Sequence, residues 1–354
     1  MAERYNHYTL TKARTHGRPG REVRPASTTI DMHAHMIVEE AAALVASHIP
    51  ADARAQFYTE ETKFLTRKQD QDRHQHQIDL ALRLSVMDEM GVDRQIISPA
   101  PPQCYYTVTP ELGIKAAQVV NDGVAAFCAR RPDRLSALGT VALQAGGAAA
   151  AEELARCMGS LRMHGVEILT HVGEKEISDP SLEPFWDKAE ALGAVVMVHP
   201  SGFTEARRFG KYYFNNVIGN PFDTTMALHY LIFDGVLARH PKLKLIAVHG
   251  GGYLPAYSGR IDHAWGARSD SHGDLKEAPT TYLKRVYFDT IVFTPHQLEA
   301  LVSLFGADHV MMGTDYPFDM GEYDPIGHLA ETKALDAGQV SAIAGGTARA
   351  LFGL

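Results

Sequence analysis

The sequence predicts a closed (β/α)8 barrel, the TIM-barrel class, with an extended arm before it and an insertion after its first strand. Eight short apolar runs alternate with longer segments of helical periodicity along the 354 residues. Several runs are rich in Val and Ile and lack polar alternation, as expected of parallel strands covered on both faces. An open doubly wound sheet is the alternative, but no glycine-rich phosphate fingerprint follows any of the runs.

The first 27 residues are polar, and we expect them to form an extended arm rather than a domain. They carry five cationic side chains among glycine and proline: Lys12, Arg14, Arg18, Arg21 and Arg24. A disordered tail and an arm that wraps a neighbouring subunit would both have this composition, so both interpretations stay open. Residues 28–354 are then predicted to form a single domain, because a barrel of this class routinely reaches such a length.

The predicted strands follow one another through the whole domain. They are Thr28–Met32, Arg94–Pro99, Leu135–Leu143, Gly165–Thr170, Ala194–His199, Leu243–His249, Val286–Ile291 and Val310–Thr314. Helical patterns between them include Pro110–Arg130, Ala148–Met158, Leu182–Leu192, Thr224–His240 and Pro295–Phe305. Residues 36–91 are too many for a simple connection between a strand and a helix. With a predicted helix at Glu39–Ala46, they are interpreted as an insertion over the barrel mouth, where substrate contacts are expected.

Composition excludes several classes of function. A net charge of −8 and a pI near 6.1 argue against a nucleic-acid binder, which needs a basic face to neutralise phosphates. No segment approaches the ~20 apolar residues that span a bilayer, and the first residues lack the apolar stretch of a secretory signal. The cysteines Cys104, Cys128 and Cys157 form no metal or redox motif. We therefore expect free thiols in a reducing cytoplasm, with no nucleic-acid or membrane partner.

Four predicted strands carry histidine or aspartate at their carboxyl ends. These ends read Asp31-Met32-His33-Ala34-His35, Val198-His199-Pro200, His249-Gly250-Gly251-Gly252 and Gly313-Thr314-Asp315-Tyr316-Pro317. In an extended chain, residues two apart point to the same side, so His33 and His35 can reach one ion. A lone His-x-His, a buried histidine or a helix-capping aspartate would each be unremarkable alone. Barrel enzymes place catalytic groups at these ends, so the combination predicts a metal site.

Neutral imidazole and carboxylate suit a borderline divalent ion, with zinc the leading candidate and manganese or iron the alternatives. The predicted ligands are His33, His35, His199 and Asp315. The fourth predicted strand has no lysine at its end to bridge two ions, which favours a single ion; Glu167 on that strand stays open as an extra ligand or a support for one. His249 is predicted to act as acid or base, because histidine titrates near the pKa of water bound to such an ion. Asp315 is predicted to take part in catalysis as well, and no organic cofactor is expected.

These motifs resemble those of 2-amino-3-carboxymuconate-6-semialdehyde decarboxylase and its relatives, the γ-resorcylate and 5-carboxyvanillate decarboxylases. Further similarity lies in Gly165-Val166-Glu167-Ile168, Pro241-Lys242-Leu243-Lys244, Phe318 and Gly321-Glu322, and it covers nearly the whole chain after the arm. This group is a decarboxylating branch of the amidohydrolase superfamily. The resemblance implies a divalent metal on the four predicted ligands, proton transfer by His249, and Arg260 binding a substrate carboxylate across a dimer interface.

The chain departs from the carboxymuconate enzyme in two places. That enzyme has a tryptophan after its His-Pro pair, where this chain has Ser201-Gly202-Phe203, and its arginine-containing segment in the insertion has no counterpart within residues 36–91. Arg67 or His76 could replace that arginine. We expect Ser201, Phe318, Arg67 and Arg260 to contact the substrate.

The resemblance predicts non-oxidative decarboxylation of a small aromatic or unsaturated carboxylic acid, in a homodimer or higher homo-oligomer. The water on the metal and His249 would manage the proton. A metal-dependent hydrolase of an amide, lactone or C–C bond is the alternative, because it would use the same ion, water and proton shuttle. A non-catalytic barrel is a third hypothesis, and the intact set of histidines and aspartate speaks against it.

Overall fold

The computed structural model describes residues 23–204 and 206–354. In this part of the chain eight strands form the barrel. They are β1 Ile30–Met36, β2 Arg94–Pro99, β3 Leu135–Ala137 continuing as Gly139–Thr140, β4 Gly165–Leu169, β5 Val195–His199, β6 Lys244–Ala247, β7 Tyr287–Asp289 and β8 Val310–Met311. Each strand lies within or across one of the apolar runs predicted from the sequence, and the predicted barrel is confirmed.

Neighbouring strands pair in parallel and in chain order from β1 to β8. The cylinder closes between β8 and β1, where the Met32 N–H donates to the Met312 carbonyl at 2.9 Å and Ala34 forms a parallel bridge with Tyr316. Closure brings the carboxyl ends of all the strands to one rim, which is where barrel enzymes carry their chemistry.

Helices follow the strands and fill the insertion. They are α1 Glu39–Val45, α2 Glu60–Ile78, α3 Leu80–Met90, α4 Pro110–Ala129, α5 Gly147–Met158, α6 Glu183–Leu192, α7 Asn220–Phe233, α8 Val236–Arg239, α9 Leu254–Tyr257, α10 Gly259–Ala267, α11 Ser269–His272, α12 Pro279–Leu283, α13 Pro295–Phe305, α14 Pro325–Glu331, α15 Ala337–Ser341 and α16 Thr347–Phe352. A short hairpin, His171–Val172 with Lys175–Glu176, follows β4. No helix of the described residues is long and apolar enough to cross a membrane.

Several predicted element boundaries are wrong: β1 extends to Met36 rather than Met32, and β8 ends at Met311 rather than Thr314. Three of the others have a backbone reason. The helix predicted over Thr224–His240 is divided, because Gly235 adopts a left-handed φ of 78° between α7 and α8. The third strand ends at Thr140 rather than Leu143, since Leu143 begins a 3-10 turn. The sixth ends at Ala247, two residues before His249, which begins another 3-10 turn with a φ of 55°.

Two apolar clusters form the core. One joins side chains of β1, β2, β5, β6 and β8 with those of α16, and contains Ile30, Met32, Ile96, Met197 and Phe352. Because side chains from strands around the cylinder meet there, this cluster fills the barrel interior near its amino-terminal end. The larger cluster packs the helices against the outside of the strands. The rim at the opposite end is left to polar side chains.

The insertion contacts segments that follow β5 and β8. His76 on α2 shares a hydrogen bond of 2.9 Å with the Tyr316 hydroxyl, and the Arg54 guanidinium donates to the Ser201 carbonyl at 2.5 Å. Most of the predicted arm, residues 1–22, lies outside the described residues. Of its last residues, Arg24 forms a 2.8 Å ion pair with Asp93, directly before β2.

Candidate metal centre

His33 and His35 lie side by side at the end of β1, and both side chains are fully buried. The His33 Nδ1 lies 2.8 Å from Asp289 Oδ2, and the His35 Nδ1 lies 3.2 Å from the Pro99 carbonyl oxygen. These acceptors place a hydrogen on each Nδ1 and leave a lone pair on each Nε2. The two Nε2 atoms are only 3.0 Å apart. Two lone pairs at this distance repel each other unless a cation or proton lies between them.

His199 and Asp315 complete the group that the sequence predicts. The His199 Nδ1 lies 2.6 Å from the Pro200 carbonyl oxygen, whereas its Nε2 is buried without a hydrogen-bond partner in the described part of the chain. Its ring centroid is 5.1 Å from that of His33 and 5.0 Å from that of His35. Asp315 Oδ1 is 3.1 Å from the Nε2 of His35 and 3.5 Å from that of His33. Three imidazole lone pairs and a carboxylate oxygen therefore converge.

His249 faces the same point from β6. Its Nε2 is 3.4 Å from Asp315 Oδ2, and its ring centroid is 5.1 Å from that of His199. One nitrogen or oxygen atom from each of His33, His199, His249 and Asp315 lies within 4.8 Å of the others. His35 joins this group through its contacts with His33 and Asp315. The structure thus brings together all five residues predicted to bind metal or transfer a proton, without distinguishing the two roles.

Both His249 and Asp315 have left-handed backbones, with φ of 55° and 58°. This conformation costs on the order of 1 kcal/mol for a residue with a side chain, and persists only where the surroundings fix it. Asp289 does so for His249, because its carboxylate accepts the His249 N–H at 2.9 Å and the Gly250 N–H at 2.8 Å. Gly250 has a φ of 61°, and a Cβ there would lie 2.4 Å from Val292. A glycine is therefore required beside the histidine.

Burial and mutual charge set the protonation of the centre. Burial, with a contribution from the neighbouring histidines, lowers the pKa of His199 well below its usual value, so its imidazole is neutral near pH 7. Burial would raise the pKa of Asp315, but hydrogen bonds from His249 and His35 hold it well below its usual range. Burial raises the pKa of Glu167, which lies on β4 with Oε2 3.5 Å from His35 Nδ1, to about 7. Burial likewise lowers the pKa of His33, whereas the Glu167 and Asp315 carboxylates raise the pKa of His35 against the effect of burial. The neutral imidazoles of His33 and His199 beside the ionised Asp315 form a donor set suited to a divalent cation.

A buried polar chain supports the end of β1 from below. Asp31 accepts hydrogen bonds from the Thr314 hydroxyl at 2.6 Å and from the Gln95 amide at 2.8 Å. Gln95 in turn accepts from the fully buried Arg83 of α3 at 2.7 Å, and Arg83 also donates to the His35 carbonyl at 2.5 Å. This chain links β1, β2, α3 and the residues after β8, and so fixes the direction of the predicted ligands.

The predicted substrate contacts are placed unevenly. The Phe318 ring lies 5.1 Å from the His35 ring, and Ser201 is half-buried two residues beyond His199. Arg67 on α2 and Arg260 on α10 are both exposed. Since the role expected of Arg260 needs a second subunit, a single chain does not test it.

Sequence reasoning missed two residues beside the centre. Arg73, six residues beyond Arg67 on α2, pairs with Asp70 and places its guanidinium 4.6 Å from the Phe318 ring centroid. Its Nε is buried without a hydrogen-bond partner among the described residues. Asp289 ends β7 and supports His33 and His249. In the structure Asp289 ends a Tyr-Phe-Asp strand, as the other residues of the centre end theirs, but the sequence pattern predicted this strand to continue to Ile291.

A family model described as Amidohydrolase matches residues 30–354. The chain is 33% identical to 2-amino-3-carboxymuconate-6-semialdehyde decarboxylase of Dictyostelium discoideum over 274 residues, which cover 77% of this chain and 76% of the relative. A crystal structure of 5-carboxyvanillate decarboxylase from Sphingomonas paucimobilis superposes with a TM-score of 0.83 and 26% identity, covering 93% of this chain and 100% of that one.

Another neighbour shares the fold at lower identity. Dihydroxybenzoic acid decarboxylase from Polaromonas sp. JS666, solved with bound manganese and the inhibitor 2-nitroresorcinol, has a TM-score of 0.79 and 22% identity, covering 93% of this chain and 97% of that one. The resemblance predicted from the motifs is confirmed. The chain belongs to the amidohydrolase family and is similar to its decarboxylases.

Proposed function

We propose that this chain is a metal-dependent non-oxidative decarboxylase of a small aromatic or unsaturated carboxylic acid. The observation that carries the proposal is the convergence of the Nε2 atoms of His33, His35 and His199 on Asp315, each imidazole being fixed by an acceptor behind it. The similar proteins named as decarboxylases support the reaction type.

The donor set supports one divalent ion held by His33, His35, His199 and Asp315. The buried Nε2 of His199, which has no other partner in the described chain, and the 3.0 Å approach of the His33 and His35 Nε2 atoms both fit a cation at this point. Nitrogen-rich donors favour zinc, while the manganese bound in the Polaromonas relative makes manganese an alternative. When bound, such an ion supplies a Lewis acid that stabilises negative charge developing on the substrate oxygens.

We assign proton transfer to His249. Its Nε2 faces Asp315 Oδ2 at 3.4 Å, and the carboxylate raises the pKa of the imidazole despite its burial, so that His249 can hold a proton near neutral pH. This proton would pass to the substrate carbon that bears the carboxylate. The bond between that carbon and the carboxylate then breaks, its electron pair stays on the carbon, and carbon dioxide leaves. No oxidant or organic cofactor is needed for this balance.

Arg73 is our candidate for holding the substrate carboxylate from within the same chain. Its Nη2 donates to Asp70, but its guanidinium lies against Phe318 and its Nε is buried without a hydrogen-bond partner among the described residues. A planar guanidinium with a remaining donor can still bind a carboxylate. Ser201 and Phe318 would border the substrate, whereas Arg67 is exposed and its substrate contact stays a prediction.

A homodimer is supported by the surface around Arg260. Tyr253, directly before α9, and Tyr257, the last residue of α9, are 43% and 68% exposed, and Phe222 and Tyr230 on α7 are about 40% exposed. Exposed aromatic side chains beside an arginine are typical of interfaces between subunits. We propose that a second copy covers this surface and that Arg260 reaches the substrate of the other subunit. The cytoplasmic location stays a prediction, in keeping with three buried free cysteines.

The test is carbon dioxide release from protein loaded with zinc or manganese and supplied with hydroxy- and aminobenzoates labelled at the carboxyl carbon. We expect carbon dioxide release from at least one compound, and we expect His249→Asn to abolish it. The organic product should contain hydrogen from solvent but no oxygen from solvent. Solvent oxygen in the product would indicate the hydrolase alternative instead. No release from any compound with either metal would contradict the proposal.

A further inference from the structure

Glu167 lies inside the barrel, and the reaction proposed above gives it no role. Its neighbours on β4, Val166 and Ile168, pack into the larger apolar cluster outside the strands, so Glu167 between them points to the interior. Apolar side chains usually fill a barrel interior, yet this carboxyl group is fully buried there. A buried carboxylate is costly unless hydrogen-bond donors or a cation compensate it, so its presence calls for a partner.

The surroundings of Glu167 leave its charge poorly compensated. Neither of its oxygens has a hydrogen bond of normal geometry among the described residues, and the Ser98 hydroxyl is the neighbour that acts on it as a donor. The Cys104 thiol and the Tyr106 hydroxyl, which its charge also reaches, are neutral groups. Among the ion pairs of the described residues, Glu167 takes part in one, in which its Oε2 lies 3.5 Å from the Nδ1 of His35.

His35 meets Glu167 on the side away from the centre. It lies on β1, three strands from β4 in the barrel, so the Glu167 side chain reaches it across the interior. Ser98 is the residue paired with His35 in the register of β1 and β2, and its Oγ lies 3.1 Å from the same Nδ1. The Pro99 carbonyl oxygen lies at 3.2 Å. A carboxylate behind a histidine fixes the ring and strengthens the opposite nitrogen as a metal ligand.

The charges of the centre point to the same role. Three buried carboxylates contact its histidines: those of Asp289, Glu167 and Asp315. No lysine or arginine of the described chain forms an ion pair with any of them. Asp315 opposes the charge on Glu167, whereas His35 and His249 stabilise it. A divalent cation would supply the positive charge that this group lacks, and charges attract strongly where water is excluded.

We propose that Glu167 is a positioning residue of the metal centre, which fixes His35 from its Nδ1 side and strengthens the binding of the divalent ion through its negative charge. This inference rests on the proposed metal-dependent function. Glu167 is assigned as a support rather than as a ligand, because it approaches the Nδ1 of His35, whereas the Nε2 faces Asp315. A change at Glu167 should therefore alter the affinity for the ion and the absorption spectrum of the bound ion, but not the number of ions per chain.

Titration of cobalt(II) into the metal-free full-length protein, followed by visible absorption and by competition with a chelator, tests the proposal without turnover. Glu167→Gln keeps the size of the side chain and one acceptor but removes the charge. We expect this variant to bind one cobalt(II) per chain about tenfold to a hundredfold more weakly than the wild type, with a shifted absorption band. An affinity equal to that of the wild type would overturn the proposal.

Glu153→Gln is the matched control, because Glu153 on α5 is another buried glutamate, paired with Arg156 at 2.8 Å and outside the centre. It also loses a buried charge, and it should keep the wild-type affinity and spectrum for cobalt(II) even if its thermal stability falls. An equal loss of affinity in both glutamine variants would trace the effect to general destabilisation and contradict the proposal.

Glu167→Asp tests whether the carboxylate itself is what matters. It keeps the charge but withdraws it from His35 by one methylene, so its affinity should lie between those of the wild type and Glu167→Gln. If the glutamine variant fails to fold, the aspartate variant decides, and an affinity equal to that of the wild type would then contradict the role of Glu167. Wild-type protein that binds no cobalt(II) would overturn the metal centre and this inference together. Carbon dioxide release, recorded separately, reports on the decarboxylase function itself.

Discussion

The imidazoles of the centre are oriented by the acceptors on their far sides. The acceptors of the Nδ1 hydrogens are the Asp289 carboxylate for His33, the Pro99 carbonyl for His35 and the Pro200 carbonyl for His199. These hydrogen bonds leave the three Nε2 lone pairs pointing toward Asp315. Such outer partners fix the tautomer and the ring plane before any ion arrives. The barrel therefore presents a preorganised donor set rather than one that must assemble around its ligand.

Replacing His199 by asparagine should remove most of the bound metal. The substitution deletes the Nε2 atom, which has no hydrogen-bond partner in the described chain. Changing a residue that only supports a metal ligand costs about tenfold to a hundredfold in metal affinity, so deleting a ligand itself should cost at least about a hundredfold. Mass spectrometry of protein purified without chelator should give about one ion per wild-type chain and less than about a tenth per variant chain.

His229→Asn is the control for this change, because the His229 Nδ1 bonds only to the Thr225 carbonyl one turn earlier on α7, at 2.7 Å, among the contacts described. It should retain the wild-type metal content. A His199→Asn protein that keeps a full equivalent of metal would show that the ion, if present, is held by other residues.

Among individual residues, the sequence identified those at strand ends but not those that reach the centre from other elements. Five residues of the centre lie at the carboxyl ends of strands, where barrel enzymes place their reactive groups, so locating the strands in the sequence identifies them: His33, His35, His199, His249 and Asp315. Asp289 was hidden inside a strand predicted to run on to Ile291. The arginine of the insertion that faces the centre was harder to predict. Arg67 and Arg73 both lie on α2, and only the orientation of the helix determines which of them faces the centre. Gln69, Arg73 and His76, spaced by four and three, share the face turned toward the residues after β8.

The elements of the barrel depend on close backbone contact between strands, most clearly between β4 and β5. Gly165 begins β4 opposite Val195, and a Cβ at Gly165 would lie 1.8 Å from the Val195 carbonyl oxygen. Its φ of 154° is also one that residues with side chains rarely adopt. β4 carries Glu167 and β5 ends in His199, so this contact also sets the spacing of two residues of the centre.

Gly165→Ala should separate these strands and destabilise the protein by about 3 kcal/mol or more, since neither backbone can move without breaking ladder hydrogen bonds. We expect the midpoint of thermal unfolding to fall by about 5 °C or more, or the protein to be insoluble. Gly266→Ala in α10 is the matched control, because a Cβ there meets nothing within 4 Å, and it should leave the midpoint unchanged or slightly raised. Equal stability of the Gly165 variant and the wild type would refute the close contact.

The number and order of the strands could be predicted from the pattern of apolar runs, whereas the residues at which the strands end could not. Buried parallel strands need continuous apolar runs, and these are visible in the sequence. The ends depend on single backbone angles, such as the left-handed φ of Gly235 that divides α7 from α8 and that of His249 that stops β6 early. Histidine at a left-handed position gives no signal in a hydrophobicity pattern. Single left-handed backbone conformations, which the apolar pattern does not reveal, thus moved these predicted boundaries.

On the outside of the closed barrel, the molecule exposes an aromatic surface around α9 and α10. The segment that follows β6 begins with His249 at the centre and continues through Tyr253 and Tyr257 to Arg260. A single stretch of about a dozen residues therefore connects the predicted proton donor with the surface proposed to meet a second copy. If the two copies are related by a two-fold axis, each would contribute Arg260 to the site of the other.

Mixing two inactive variants tests this arrangement. Arg260→Ala and His249→Asn should each lose most decarboxylase activity alone, the first through weaker substrate binding and the second through loss of the proton donor. A mixed dimer would contain one site with both an intact His249 and an intact Arg260 from the other subunit. Random pairing of equal amounts makes half the dimers mixed, each with one working site of two, so co-expression should restore about a quarter of the wild-type activity.

The control for the mixing experiment is Arg260→Ala co-expressed with the Arg260→Ala, His249→Asn double variant, which should stay inactive because no subunit can supply the arginine. If Arg260 served its own chain, every site in the mixed dimer would lack either the histidine or the arginine, and the first pair would stay inactive as well. Sedimentation of the wild-type protein as a monomer at assay concentrations would likewise exclude an arginine shared between subunits. Restored activity in the first pair alone would place Arg260 in the other subunit's site.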